Sequence, residues 1–319
     1  MTHKLSRILV AGGAGFIGSH LVDKLVSDGT DVTVLDNLSS GKTENLTVHL
    51  QRRSIKFVKG DICNFRLVRS LMGDVDAVVN LAAVVSVAKS VEDPLLVHKV
   101  NATGALTLLK ACLDGGVKTF VQASSAAVYG EAEKLPVSED AVLDPLSPYA
   151  VAKITAEDYA RVFSRIYGLE AVSLRFFNVY GPRQAYNPYS GVITVFIKHL
   201  LNNRAPTVFG DGEQTRDFVS VHDVASCCLL ALTKGGIGGE IFNVSSGTAT
   251  SVNKLVELLQ KITGKLDLKP NYGKPRSGEI RHSRGSIDKA MVILGYYPKT
   301  TLEYGLREIH DIEQAHSIE

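Results

Sequence analysis

The stretch Ile8-Leu9-Val10-Ala11-Gly12-Gly13-Ala14-Gly15-Phe16-Ile17-Gly18 constrains this chain more than any other, because it passes from apolar strand to glycine turn to helical pattern without a break. Gly13-x-Gly15-x-x-Gly18, and the overlapping Gly12-x-x-Gly15-x-x-Gly18, fit a dinucleotide fingerprint. Glycines there let the backbone approach a pyrophosphate, and the helix N-terminus supplies free N–H groups and the positive end of its dipole. Ile17, Leu21 and Leu25 then recur at helical spacing, and Asp28-Gly29 supplies a C-terminal stop.

The next strand, Val32 to Leu35, ends in Asp36, 18 residues past Gly18, where a carboxylate can accept hydrogen bonds from an adenosine ribose. That favours NAD over NADP. An anion repels a 2′-phosphate, and Asn37-Leu38-Ser39-Ser40-Gly41 offers no arginine, leaving only Lys42 in reach.

Further along, Lys56 to Val58, Ala77 to Leu81 and Val117 to Ala123 read as strands alternating with helices. Nearly all-apolar strands in such alternation predict an α/β fold, a Rossmann-type doubly wound parallel sheet covered on both faces. Glu240 to Ser245 reads as a strand returning to that sheet, so the smaller C-terminal domain is expected to be discontinuous. The predicted division is 1–178 with 220–249 for the dinucleotide domain, and 179–219 with 250–319 for a substrate domain. Leu255, Val256, Leu258 and Leu259 predict an amphipathic helix in the latter, as do Leu302, Leu306 and Ile309. Leu81-Ala82-Ala83 falls at a strand's carboxyl end, where small residues can admit a cofactor. The helical run from about Pro94 to Gly115-Gly116 carries Asn101 in its middle, either to brace the site through a water or backbone contact or as a tolerated polar residue.

At 319 residues and 45% hydrophobic content the chain can fill a sizeable core as two domains or one elaborated domain. Lys+Arg 35 against Asp+Glu 33, with no basic block, points to neither nucleic acid nor an anionic membrane as partner. No apolar run approaches the ~20 residues of a membrane span, which predicts a soluble, cytoplasmic protein. Cys63, Cys112, Cys227 and Cys228 lack C-x-x-C spacing and are expected as buried free thiols. The nine histidines contain no H-x-x-x-H pair, so no metal site is expected.

Ser147-Pro148-Tyr149-Ala150-Val151-Ala152-Lys153 carries chemistry. Serine at an N-cap and proline at the first helical position start a helix on which Tyr149 and Lys153 lie one turn apart on one face. A tyrosine with pKa near 10 is a poor base at neutral pH, but a nearby ammonium and the positive helix end both favour the phenolate.

Gly12-x-x-Gly15-x-x-Gly18, Asp36, Ser125, Tyr149-x-x-x-Lys153 and Arg175-Phe176-Phe177-Asn178 together resemble the extended short-chain dehydrogenase/reductase family over essentially the whole chain. Within it, Ser124-Ser125-Ala126-Ala127-Val128-Tyr129-Gly130, Arg175 to Asn178 and Arg281-His282-Ser283 are similar to the UDP-hexose 4-epimerases, especially the UDP-N-acetylglucosamine 4-epimerase group. Nucleotide-sugar dehydratases of the family carry an acidic pair where Ala126-Ala127 stands, and uronate 4-epimerases usually have threonine in place of Asn178. A dehydratase, a decarboxylase, a uronate epimerase and a non-enzymatic NAD-sensing module remain the competing readings.

The resemblance implies an isomerase that holds NAD tightly and acts as a homodimer, with helices near 94–115 and 149–167 at the two-fold interface. It implies Ser125, Tyr149 and Lys153 as catalytic residues. It places NAD against Gly12, Gly15, Phe16, Ile17, Gly18, Asp36, Asn37, Ser39, Gly41, Asp61, Ile62, Leu81, Ala82, Ala83, Asn101, Tyr149, Lys153 and Phe177. The UDP-sugar falls to Ser125, Tyr149, Asn178, Phe209, Arg216, Arg276, Glu279 and Ser283. In glucose-restricted relatives a bulky tyrosine stands five residues after the clamp glycine; here, counting from Gly278, that residue is Ser283.

Asp36 sets a first prediction. Asp36→Ala should erode the preference for NAD over NADP in a binding titration, and equal affinities for the two in the unmodified protein would contradict it.

Overall fold

The computed structural model describes residues 5–186, 191–275 and 280–315. The strands are β1 (Arg7–Ala11), β2 (Asp31–Asp36), β3 (Ile55–Lys59), β4 (Ala77–Asn80), β5 (Thr119–Ser125), β6 (Glu170–Phe176), β7 (Asn178–Tyr180), β8 (Thr207–Phe209), β9 (Thr215–Ser220), β10 (Ile241–Val244), β11 (Ala249–Ser251) and β12 (Asn271–Gly273). Seven of them form one parallel sheet in the order β3-β2-β1-β4-β5-β6-β10. The order reverses between β1 and β4, and a crevice at the carboxyl ends of such strands is where these sheets bind ligands.

Both faces of the sheet are covered. Ile8 and Val10 face a core shared with helices 16–27 and 221–233, whereas Leu9 and Ala11 face the opposite core, shared with helices 104–115 and 148–167. Burial on both sides explains why β1 is apolar throughout its inner residues. A third core, built from Phe196, Ile197, Leu200, Leu255, Leu259 and Leu306 among others, joins helices 192–201, 252–263 and 302–315. The two amphipathic helices expected from their leucine spacing are thus both present, and both bury those leucines in this third core.

Three details differ from the sequence expectation. The fifth strand runs Thr119–Ser125 and not Val117 to Ala123. Gly116, with φ +74°, reverses the chain while the Val117 N–H bonds back to the Cys112 carbonyl at 3.0 Å, so Val117 belongs to the helix cap. The run from Pro94 to Gly115 is continuous but contains a π-helical stretch at Lys99–Thr103, with Asn101 inside it. Cys63 is half-buried, its thiol within 3.4 Å of the Lys99 carbonyl; the other three cysteines are buried, and all four are free thiols.

Candidate active site

The glycine turn comes first. Gly12 adopts φ +78°, and a Cβ there would sit 2.6 Å from the Ala82 backbone nitrogen, so the loop after β4 can close on the turn only because residue 12 lacks a side chain. A Cβ at Gly18 would overlap the Gly12 carbonyl oxygen. Gly15 is the N-cap of helix 16–27, and no side chain caps it, which leaves the first N–H groups of that helix open to a ligand. Gly13 packs on Val34, so the working trio is Gly12, Gly15 and Gly18.

Asp36 lies at the end of β2, beside the turn. Its carboxylate accepts from the Ala14 N–H at 3.0 Å and the Leu38 N–H at 2.8 Å, and Gly41 folds back so closely that a Cβ there would lie 2.8 Å from Oδ2. Asn37 donates to Asp61 at 3.1 Å and accepts from the Ser39 N–H at 3.0 Å, joining the ends of β2 and β3. Ile62 is buried beneath them. Asn101 spends its amide on Val84, donating to the carbonyl at 2.9 Å and accepting from the N–H at 2.8 Å. These two bonds hold the chain just after Leu81-Ala82-Ala83 in place and leave one N–H and one oxygen lone pair of the amide over.

β5 ends in Ser125, facing the helix that bears Tyr149 and Lys153. The Ser147 hydroxyl caps that helix by accepting from the Ala150 N–H at 3.2 Å, with Pro148 in the first turn. Lys153 is 3% exposed and donates from Nζ to the Ala123 carbonyl at 2.9 Å, with Nζ 5.7 Å from the Tyr149 ring centroid. Burial pulls its ammonium down to about 8, and Glu157 one turn along opposes that shift. Burial pushes the Tyr149 phenol up, and its hydrogen bond to Ser125 works the other way. The sequence led to the expectation that Lys153 lowers the Tyr149 pKa; in the protein alone, desolvation dominates and the net shift is upward.

Beyond Ser125 opens a cavity of about 280 Å³ walled by Ala126, Ala127, Tyr129, Leu146, Phe177 and Ser283, with Asn178 and Arg216 also facing it. The 281–283 segment pairs with the start of β9, through the Thr215 N–H to the Arg281 carbonyl and the Ser283 N–H to the Thr215 carbonyl, which brings Ser283 to the wall. Phe177, which also lines this cavity, packs against Tyr129 and Gly285. A second cavity, of about 470 Å³, is lined by Phe209, Asp211, Gln214 and Arg281, and Ile280 borders both. Arg276 and Glu279, expected as phosphate and ribose contacts, lie outside the described residues.

Gln214, Arg281 and Tyr129 were not singled out as site residues from the sequence. Gln214 donates to the Phe209 carbonyl at 2.8 Å, and Arg281 forks onto Asp211 at 2.8 and 2.7 Å. No local spacing links positions 70 residues apart, so the Arg281 pairing carried no signal in the chain. Among the described residues no cluster of His, Cys, Asp and Glu could hold a metal, and no helix is long and apolar enough to cross a membrane.

The model of the NAD dependent epimerase/dehydratase family matches residues 8–245. UDP-glucose 4-epimerase of Mycolicibacterium smegmatis is 39% identical over 303 residues, 94% of this chain and 96% of that protein. The crystal structure of UDP-glucose 4-epimerase from Thermotoga maritima with UDP-glucose superposes with a TM-score of 0.92 at 42% identity, covering 98% of this chain and 100% of the other. UDP-N-acetylglucosamine 4-epimerase from Methanobrevibacter ruminantium M1, in complex with UDP-N-acetylmuramic acid, gives 0.92 at 37% identity, with 98% and 99% covered.

The burial of Lys153 has a measurable consequence. Between pH 8 and 10 the folded protein binds fewer protons at Lys153 than the unfolded chain does, so this group makes stability rise with pH across that window. Denaturant unfolding of the ligand-free protein should show the wild type gaining on Lys153→Met by up to about 1.4 kcal/mol per pH unit there. Parallel curves for the two would show that the ammonium is not desolvated.

Proposed function

Because the chain belongs to the NAD dependent epimerase/dehydratase family, we propose that it interconverts UDP-glucose and UDP-galactose by 4-epimerisation through a 4-keto sugar, and accepts the N-acetylated pair as well. The observation that carries this reading is Ser125, at the end of β5 beside the Tyr149–Lys153 helix, lining a cavity whose wall continues in Ala126 and Ala127, where a dehydratase would need acids to expel water. Bound NAD would supply the hydride acceptor and donor for the sugar C4 and a cationic ring beside Lys153. The glycine turn, Asp36 and the loops it gathers fit a dinucleotide, since the cradle exists only because side chains are missing from it.

On this reading Tyr149 Oη takes the proton of the sugar 4-hydroxyl and later gives it back, with Ser125 bridging. Lys153 holds positive charge beside it and binds the nicotinamide ribose. Arg216, Asn178 and Phe209, together with Arg276 and Glu279 outside the described residues, hold the UDP end, so that the ketose can turn over while its anchor stays. The division at 1–178 with 220–249 and 179–219 with 250–319 belongs to the same reading, supported by β10 joining the main sheet and by the separate third core. So does a homodimer: Val91, Leu95, Val162 and Ile166 leave an apolar face exposed on helices 87–92, 94–98 and 148–167, with Leu95 82% exposed. Free thiols suit a reducing cytoplasmic setting.

Purified protein supplied with UDP-galactose, with and without added NAD, tests the reaction. Tyr149→Phe should lose about 10²- to 10⁴-fold in kcat while still binding NAD and UDP-sugar, and retention of more than about a tenth of the wild-type rate would refute its role. Ser283 leaves room beside the 2-substituent, so Ser283→Tyr should abolish turnover of UDP-N-acetylglucosamine and UDP-N-acetylgalactosamine selectively. No turnover of either by the wild type, under conditions where UDP-galactose is consumed, would remove the broader specificity.

A further inference from the structure

Arg175 opens the run that ends in Asn178, yet nothing in the proposed reaction uses it. Its guanidinium forks onto Glu157, with Nε to Oε1 at 2.9 Å and Nη2 to Oε2 at 2.7 Å, and the two side chains are 3% and 2% exposed. Glu157 lies one turn beyond Lys153 on the same helix. From its other arm, Arg175 donates to the Tyr129 hydroxyl at 2.9 Å and the Glu139 carbonyl at 3.2 Å. Tyr129 donates its own hydroxyl hydrogen bond to Asn243 Oδ1 at 2.6 Å, and Asn243 donates to the carbonyls of Val137 at 3.0 Å and Ser286 at 3.2 Å.

This chain of bonds joins two things. At one end is the helix that bears Tyr149 and Lys153; at the other are Tyr129 and Val137, which line the sugar cavity, and the strand-like segment leading back to Ser283. A buried ion pair is weak evidence for stability, since well-packed apolar residues often serve as well, but it holds geometry. We propose that Glu157 and Arg175 are positioning residues that tie the proton-transfer pair to the wall of the sugar cavity and keep Lys153 charged. This rests on the reading of Tyr149 and Lys153 as that pair.

The groups around Lys153 support the second half. On its own helix are Tyr149 and Glu157; from β5 come the neutral Ala123 carbonyl and Gln122, whose amide bonds the same carbonyl at 2.8 Å; behind Glu157, on β6, is Arg175. Glu157 is the charged group acting on the ammonium. Removing its charge withdraws that attraction and leaves Arg175 uncompensated, and both effects make Lys153 give up its proton at lower pH.

The test is Glu157→Gln in the full chain. Epimerisation of UDP-galactose is followed across pH, and Lys153 itself is titrated by NMR in ligand-free protein with isotope-labelled lysine, using Lys153→Met to assign its signal. The expected result is a kcat lower by about 10²-fold, KM within about threefold, and an alkaline limb and Lys153 titration displaced downward by about one pH unit or more. Glu157→Asp, which keeps the charge, should return the titration toward the wild-type position. An unmoved Lys153 titration in folded Glu157→Gln overturns the proposal. If that variant does not fold, Tyr129→Phe decides: it should lose about tenfold in kcat with the limb unmoved, and full activity there overturns the tie to the cavity wall. A wild type that turns over no UDP-hexose, while the Lys153 titration moves as stated, refutes the functional reading and leaves the positioning role standing.

Discussion

An ammonium taken out of water has to be met by something, and the bond from Lys153 to the Ala123 carbonyl is the contact around which the site is arranged. β5 runs on past β4, whose pairing ends at Gln122, and stays paired with β6 as far as Ser125. Gln122 shares the Ala123 carbonyl and is itself fixed by Asn80 at 3.0 Å, so β4 and β5 reach the site in a single register. The same strand end therefore presents an anchor for the lysine and a hydroxyl for the tyrosine. Ser147 and Pro148 then start the helix at the point that brings both residues over that end.

The second half of the site depends on a buried carboxylate. Asp217 is fully buried on β9 and accepts from the Ser246 N–H and hydroxyl and from the N–H groups of Gly247 and Gly285. Burial pushes its pKa up while those four donors counter the shift. It binds the chain just after β10 to the segment beyond Ser283. That arrangement lets residues from opposite ends of the sequence share one cavity, since Val137 bridges to Gly285 while Thr215 bridges to His282.

Two polar side chains near the dinucleotide cradle, the Asp36 carboxylate and the Asn101 amide, divide their bonds in different ways. Asp36, the proposed ribose contact, also binds the Ala14 N–H in the protein alone, so the residue proposed to select the ligand also holds the glycine turn. Asn101 divides differently: it donates one bond to the Val84 carbonyl and accepts one from the Val84 N–H, bracing the chain just after Leu81-Ala82-Ala83.

What the chain by itself determined is what local rules govern. A glycine turn after an apolar strand, a serine cap with proline behind it, and leucines at helical spacing each act within a few residues, and β1, the Tyr149–Lys153 helix and the 252–263 helix all appear where those signals stand. Tertiary structure decided what depends on surroundings. The Tyr149 pKa moves up because the side chain is buried, a property of packing that no spacing encodes. Val117 joined a cap and not a strand because the chain needed Gly116 to turn. Arg281 with Asp211, and Arg175 with Glu157, Tyr129 and Asn243, meet only after folding, because a hydrogen bond has a range of about 3 Å in space and none along the sequence.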